Sequence, residues 1–217
     1  MQKTKISQYL IMLLLSTMLF SACTKNLTQV ITVYENDFND GTLKGIETLG
    51  WQANGLFGAF PYAKITTYQN NKMLGELNNS LVFLKFSSLP QHDNIKIEFD
   101  LYVHDNWRNN LWKMQFDGQD QIITGFSNDS TVKQDYPNWL NTGNASPAGN
   151  QAQEIYLPGT CSLKNSARGT SRYKIMSSIA HTIDSLSITL SDAGGALNDT
   201  CARSWSIDNV KIVTLKN

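Results

Sequence analysis

The chain has 217 residues, with 18 basic and 18 acidic groups, three histidines and three cysteines, and it is 41% hydrophobic but only 17% charged. That balance excludes a disordered chain and gives no basic footprint for nucleic acid, while the length suits one large β-domain with a real hydrophobic core. Neutral polar side chains make up for the missing charge; 21 are asparagine, which favours turns over strand and helix interiors, so many loops between short strands are expected.

Lys3 and Lys5 precede an apolar stretch over residues 10–20 that ends in Ser21-Ala22-Cys23. The order charged, apolar, small is that of a secretory signal peptide, expected over residues 1–22. The run is shorter than the about 20 apolar residues that a spanning helix needs. Without the leader's two lysines the chain holds 16 basic and 18 acidic groups, a formal balance of −2. The small pair followed by cysteine resembles the lipobox of bacterial lipoproteins. That resemblance implies diacylglyceryl attachment at Cys23, residues 23–32 as lipidated cysteine and tether, and residues 33–217 as the folded domain. The implied address is a bacterial membrane, outer membrane or cell surface, reached through the anchor alone.

Beyond the leader the recurring pattern is alternation. Residues 81–86 form a nearly continuous apolar run, as in a strand buried on both faces or at a sheet centre. Ile95, Ile97, Phe99, Leu101 and Val103 occupy every second place, with Lys96, Glu98, Asp100 and Tyr102 between them; the first set is expected to face a core and the second to face outward. Trp112, Met114 and Phe116 repeat the pattern, and Asp117-Gly118 then predicts a tight hairpin into residues 121–126. Leu186, Ile188 and Leu190 alternate again, as do Val210 and Ile212. Segments rich in asparagine and glycine, at 36–45, 69–72, 105–110 and 192–200, separate these strands. Residues 127–154 carry little strand pattern, and a loop of that length is usually functional or disordered. Short strands with regular turn signals predict an all-β sandwich or barrel.

The series Gly75-Glu76-Leu77-Asn78-Asn79, Phe99-Asp100-Leu101-Tyr102-Val103-His104-Asp105-Asn106-Trp107, Asp117-Gly118, Tyr136-Pro137 and Trp205-Ser206-Ile207-Asp208-Asn209-Val210 resembles bacterial extracellular jelly-roll modules of the concanavalin A-like lectin and glucanase type. The resemblance implies a two-sheet antiparallel jelly-roll β-sandwich, concanavalin A-like or galactose-binding-like, working outside the cell. Where such modules carry an acid and a glycine after the tryptophan, Arg108 and Asn109 follow Trp107 here.

Three constellations bear on chemistry. Glu98 and Asp100 share one strand face, as catalytic acids do in laminarinase-like glucanases, but Tyr102 and Val103 stand where a third acid would complete the pattern. Retaining hydrolysis needs two carboxyls about 5–5.5 Å apart, so the competing reading is solvated surface charge. A structural calcium held by Asp37 and Asp208, with Glu35 beside them, would tie the first strand to the last, since hard cations take several loop oxygens. The alternative there is a β-bulge at Asp208-Asn209, where the alternation slips between Ile207 and Val210. Trp107 and Trp139 lie in polar segments; with Asp105 and Tyr136 they are the expected ligand contacts, because flat aromatics stack on sugar faces while polar groups reach the hydroxyls. The alternative for each tryptophan is a plug over the sandwich end. Trp51, Trp112 and Trp205 read as core. Cys161 and Cys201 read as one disulfide in an exported protein or as two free thiols.

The reading favours binding of a glycan or other extracellular polymer over catalysis. A glycoside hydrolase or polysaccharide lyase using Glu98 and Asp100 is one alternative. A structural or adhesive surface protein that meets a protein partner through residues 127–154 is another.

Overall fold

The computed structural model describes residues 28–51, 57–59, 64–143, 145–192 and 199–217; the expected signal peptide and Cys23 lie outside the described residues. The strands are β1 (Gln29–Asn36), β2 (Glu47–Trp51), β3 (Phe57–Ala59), β4 (Lys64–Tyr68), β5 (Asn71–Leu77), β6 (Ser80–Phe86), β7 (Asn94–Asp105), β8 (Arg108–Phe116), β9 (Gln119–Ser127), β10 (Glu154–Leu157), β11 (Thr170–Ala180), β12 (Leu186–Ser191) and β13 (Arg203–Lys216). They form a seven-stranded sheet, ordered β10-β11-β7-β13-β5-β4 with β1 also on β13, and a six-stranded sheet, ordered β3-β2-β6-β12-β8-β9. The chain changes sheet at each step from β5 to β8 and again from β11 to β13. The fold is thus an antiparallel β-sandwich of jelly-roll type. Its first strand begins at Gln29, ahead of the expected domain boundary at 33, because the C-terminal half of β13 offers an edge that Val30 and its neighbours pair with.

The period-2 pattern builds the core as expected. Ile95, Ile97, Phe99, Leu101 and Val103 are all fully buried. From the facing sheet Trp112 meets Phe99 at 6.1 Å and Trp205 at 6.2 Å, between ring centroids. Tilted and edge-to-face packing of this kind adds to the burial of apolar area. The apolar run of β6 lies inside the six-stranded sheet but is buried on one face only. Val82 and Leu84 point inward, and Leu81 and Phe83 stay partly exposed on an outer face that no layer covers among the described residues. Two-residue turns with both φ values positive join β4 to β5 (Gln69, 49°; Asn70, 67°) and β8 to β9 (Asp117, 48°; Gly118, 77°), the backbone twist that suits tight hairpins.

The outward set of β7 departs from expectation. Tyr102 and His104 face away from the core, yet they are 4% and 0% exposed. They pack with Tyr68 of β4 and Met73 of β5, and Leu157 of β10 closes the cluster. Tyr68 also donates its hydroxyl to Pro158 O, just past β10. β4 and β10 are opposite edges of the sheet, five strand spacings apart, and a flat sheet would separate them by about 24 Å. The sheet therefore curls about its outer face and shuts one end of it. Inside the shut end, Thr170 gives its single hydroxyl hydrogen to Pro158 O (2.8 Å), so His104 Nδ1 carries the hydrogen shared with Thr170 Oγ1 (2.9 Å) and Nε2 accepts from Ser206 (3.0 Å). Burial pushes the His104 pKa down to about 3, which keeps the ring neutral.

Two further ties hold the ends of the sandwich. Cys161 and Cys201 form a disulfide, with Cα atoms 4.9 Å apart, that joins the segment after β10 to the one before β13. At the other end of β7, His92 Nδ1 donates to Pro90 O (2.6 Å), leaving Nε2 as the acceptor toward His181 Nδ1 (2.7 Å), and His181 Nε2 lies 3.2 Å from Asp117. That chain clamps three loops together.

A Cβ at Gly75 would lie 1.9 Å from Ser206 Oγ and 2.5 Å from Ser206 Cβ. Gly75→Ala is therefore expected to destabilise the fold by about 1–3 kcal/mol through overpacking, displacing Ser206 from His104. Urea unfolding measures this, and an unchanged midpoint would contradict the packing described.

Candidate binding face on the seven-stranded sheet

The open half of the same outer face is laid out by register. Lys174, Asp100 and Asp208 stand in one row across β11, β7 and β13, and Met176, Glu98, Lys211 and Glu35 form the next across β11, β7, β13 and β1. Side chains opposite one another on one face lie about 4.5–5.5 Å apart at Cβ. The second row exists because β13 carries one extra residue. Three steps from Asp208 to Lys211 face two steps from Asp100 to Glu98, and Asn209 takes a positive φ of 52°. Without that bulge, strict alternation would point Val210 outward and Lys211 into the core. The bulge is also where the free edge of β13 passes from β5 to β1.

Asn209 holds the two aspartates. Its backbone N–H donates to Asp208 Oδ1 (2.7 Å), and its amide donates to Asp100 Oδ2 (2.9 Å) and Asp208 Oδ2 (3.4 Å). Around them Lys174 approaches Asp100 at 3.7 Å, Lys96 meets Glu98 at 3.1 Å and Lys211 meets Glu35 at 3.4 Å. Pairs this exposed add little stability, but they fix where each charge sits. The Lys96 hydrogen bond holds the Glu98 carboxyl below its ordinary range. Burial pushes Asp208 up to about 6, with Asp100 and Asp37 adding to the effect against the pull of the Asn209 N–H.

A cavity of about 400 Å³ opens over these rows, with Glu35, Asp37, Glu98, Lys174, Asn209 and Lys211 in its wall. A second, of about 320 Å³, adjoins it through Glu98 and Lys211 and adds the apolar side chains Val30, Val213 and Leu215. The two make one groove, charged at one end and apolar at the other.

The residues expected to touch ligand divide. Trp107 is fully buried and donates Nε1–H to Ser204 O (2.8 Å), so it is a plug. Asp105 is fully buried too, at a φ of 65°. Its carboxylate accepts from Thr160 Oγ1 (2.8 Å), Leu163 N–H (2.7 Å) and Cys161 N–H (3.2 Å), anchoring the segment after β10. Tyr136 is partly buried against Phe126 and Tyr173. Among the tryptophans whose side chains are described, Trp139 alone is exposed, at 48%.

Its loop is ordered structure. Tyr136 N–H and Leu140 N–H bond Gly125 O and Ile123 O along β9. Buried Gln134 accepts from Tyr173 OH and Gly149 N–H and donates to the carbonyls of Tyr136 and Asn150. Asp37 and Asp208, expected at a calcium, do share one electrostatic neighbourhood, yet Asp37 is tied to Asn39 through both oxygens. Among the described residues no three acidic, histidine or cysteine side chains converge to hold a metal ion. Lys174 and Lys211 were not singled out from the sequence, and Asn209 only as part of a bulge; carrying the alternation through the slip at Asp208-Asn209 finds Lys211.

An acid whose pKa is raised on folding contributes stability that is full below its unfolded value and is lost as pH rises through the folded one. Asp208 thus stabilises below about pH 4 and ceases to by about pH 6. Asp208→Asn is expected to raise stability at neutral pH by on the order of 1–3 kcal/mol and to flatten its decline over that window. Urea unfolding at a series of pH values checks this, and a variant that keeps the wild-type pH profile would contradict it.

No family model matches the chain, and no curated protein matches it. Among solved structures it is similar to a carbohydrate-binding module specific for non-crystalline cellulose, with 13% identity, 86% of this chain and 92% of that chain covered, and a TM-score of 0.39. A family 35 carbohydrate-binding module from Clostridium thermocellum is similar at 6% identity, over 85% of this chain and 97% of that one, with a TM-score of 0.31. An exo-beta-1,3-galactanase from Phanerochaete chrysosporium is similar at 10% identity and a TM-score of 0.36; 79% of this chain matches, over only 29% of the galactanase.

Proposed function

We propose that the protein is an exported, lipid-anchored β-sandwich that binds a glycan or other extracellular polymer along the open half of the seven-stranded sheet, without cleaving it. The observation that carries this reading is the groove itself, where fixed amines, carboxylates and an amide adjoin an apolar shelf of Val30, Val213 and Leu215. Sugar hydroxyls both donate and accept, and sugar rings carry apolar C–H faces, so such a lining matches them; binding sites in general join apolar walls to a few placed polar groups. The surface disulfide Cys161–Cys201 supports export, because such bonds persist in oxidising compartments.

Glu98, expected as one member of a hydrolytic pair, is held ionised by Lys96, which suits a binding contact better than a general acid. One observation favours a second reading. Asp208, pushed up to about 6 beside Asp100, has the character of a proton donor next to a carboxylate. A hydrolase or lyase built on that pair would release reducing ends and lose this activity in Asp208→Asn.

A glycan array run with calcium and again with chelator tests the binding reading, and a reducing-end assay on wild type and Asp208→Asn tests the second. Saturable binding is expected, weakened about ten-fold or more in Lys174→Ala/Lys211→Ala at unchanged melting temperature, and unaffected by Trp139→Ala. Binding lost only in Trp139→Ala would move the site to residues 127–154. A blank array from folded protein would overturn the glycan reading and direct the search to a protein partner. Chelator sensitivity that disappears in Asp37→Asn would support the expected calcium.

A further inference from the structure

The end of the sandwich that carries the β5–β6 and β7–β8 turns holds a separate cavity of about 220 Å³, walled by Asn78, Asn106, Arg108, Asn110 and Arg203. Pockets for whole small molecules start near about 300 Å³, so this one suits a single substituent of a larger molecule. Its lining is cationic and rich in amides. The one acid in the wall, Asp199, already accepts from Cys201 N–H (3.0 Å) and Ala202 N–H (3.1 Å).

Arg203 sets the chemistry. Its guanidinium carbon lies 5.7 Å from the centroid of the buried Trp107 ring. The carboxylate whose charge it feels is Asp192, both of whose oxygens are taken, by Asn79 N–H and Ser80 N–H at 2.9 Å each. Among the described residues Arg203 forms no ion pair, and its buried Nε has no hydrogen-bond partner. Arg108 reaches the same cavity from the rim, paired with Asp129 at 2.9 Å and with its side chain 62% exposed.

The frame around Arg203 is rigid. Asn78 donates to Arg203 O (2.8 Å), Asn106 N–H to Ala202 O (2.9 Å), and the Cys161–Cys201 disulfide lies beside them. A guanidinium that lies over an aromatic on a firmly bonded backbone, with no ion pair among the described residues, is suited to an oxyanion, which arginine binds through a planar fork.

We infer that this cavity receives an anionic substituent, a carboxylate or sulfate, of an acidic polysaccharide. Arg203 and Arg108 contact the oxyanion, and the asparagine amides reach neighbouring hydroxyls. The site lies apart from the sheet face and does not rest on binding there.

The test uses three dextrans with one backbone: neutral, carboxymethylated and sulfated. Immobilised on a sensor, they are titrated with the full protein at low and physiological salt. One or both anionic dextrans are expected to bind, more weakly as salt rises, and the neutral one not to bind this cavity. Which anion binds identifies the source of the charge. Arg203→Gln is expected to weaken anionic binding about ten-fold or more, and Arg108→Gln about three-fold. Lys85→Gln, an exposed control on the other sheet, is expected to leave it unchanged. Arg108→Gln keeps the test informative if Arg203→Gln disturbs Trp107. Equal binding of neutral dextran, indifference to both arginine variants, or an equal loss in Lys85→Gln would overturn the inference. So would a loss confined to the double lysine variant, which would instead put the charged ligand on the sheet face.

Discussion

One extra residue in β13 organises the outer face of this protein. At Asn209 the strand steps into the left-handed region, slips its register against β7 by one place and changes neighbour from β5 to β1. Ile207 and Trp205 stay in the core before the slip, and Val210 and Ile212 stay in it after, so the core does not register the insertion. The outer face does. It gains Asp208 beside Asp100 and Lys211 beside Glu98, with the Asn209 amide bonded to both aspartates. A bulge that re-aims side chains at a strand boundary is a recurrent way to build a site on a regular sheet.

The same face is divided by how the sheet curls. Toward the C-terminal end of β7 it closes over Tyr68, Met73, Tyr102 and His104, and the segment after β10 is pinned there by the Asp105 carboxylate and the disulfide. Toward the N-terminal end it stays open and charged. Burying a neutral histidine with both ring nitrogens bonded makes the closed half rigid. The open half keeps its charges partly solvated, each ion pair setting where a charge sits while adding little stability. Closure at one end and paired charge at the other follow from one sheet, and the second is the face proposed above for a polymer.

Much of the fold was legible in the chain. Strict alternation over β7, β8 and β12 and the Asp-Gly reversal after Phe116 led directly to strands, inward faces and a hairpin, since a one-face burial pattern has a period that a sequence displays. The slip at Asp208-Asn209 was legible as a bulge for the same reason. What alternation does not carry is what covers the outward positions. Tyr102 and Asp100 read as solvated, yet the first lies under Tyr68 and Leu157 and the second beneath Lys174 and Asn209, partners far away along the chain. Trp107 looked like a ligand contact because its neighbours are polar, but those neighbours serve the fold: Asp105 binds loop amides and Ser204 O takes the indole N–H. Residues 127–154 show little strand pattern because Gln134, which ties parts of the loop together, bonds backbone groups that leave no mark on composition.

The most direct test of this account is a titration of the aspartate side-chain carboxyl carbons by NMR from about pH 3 to about pH 8. If Asn209 seats Asp208 against Asp100 as described, the Asp208 carboxyl titrates near 6. An Asp208 carboxyl that titrates near about 4, as a solvated aspartate does, would contradict the bulge-built face.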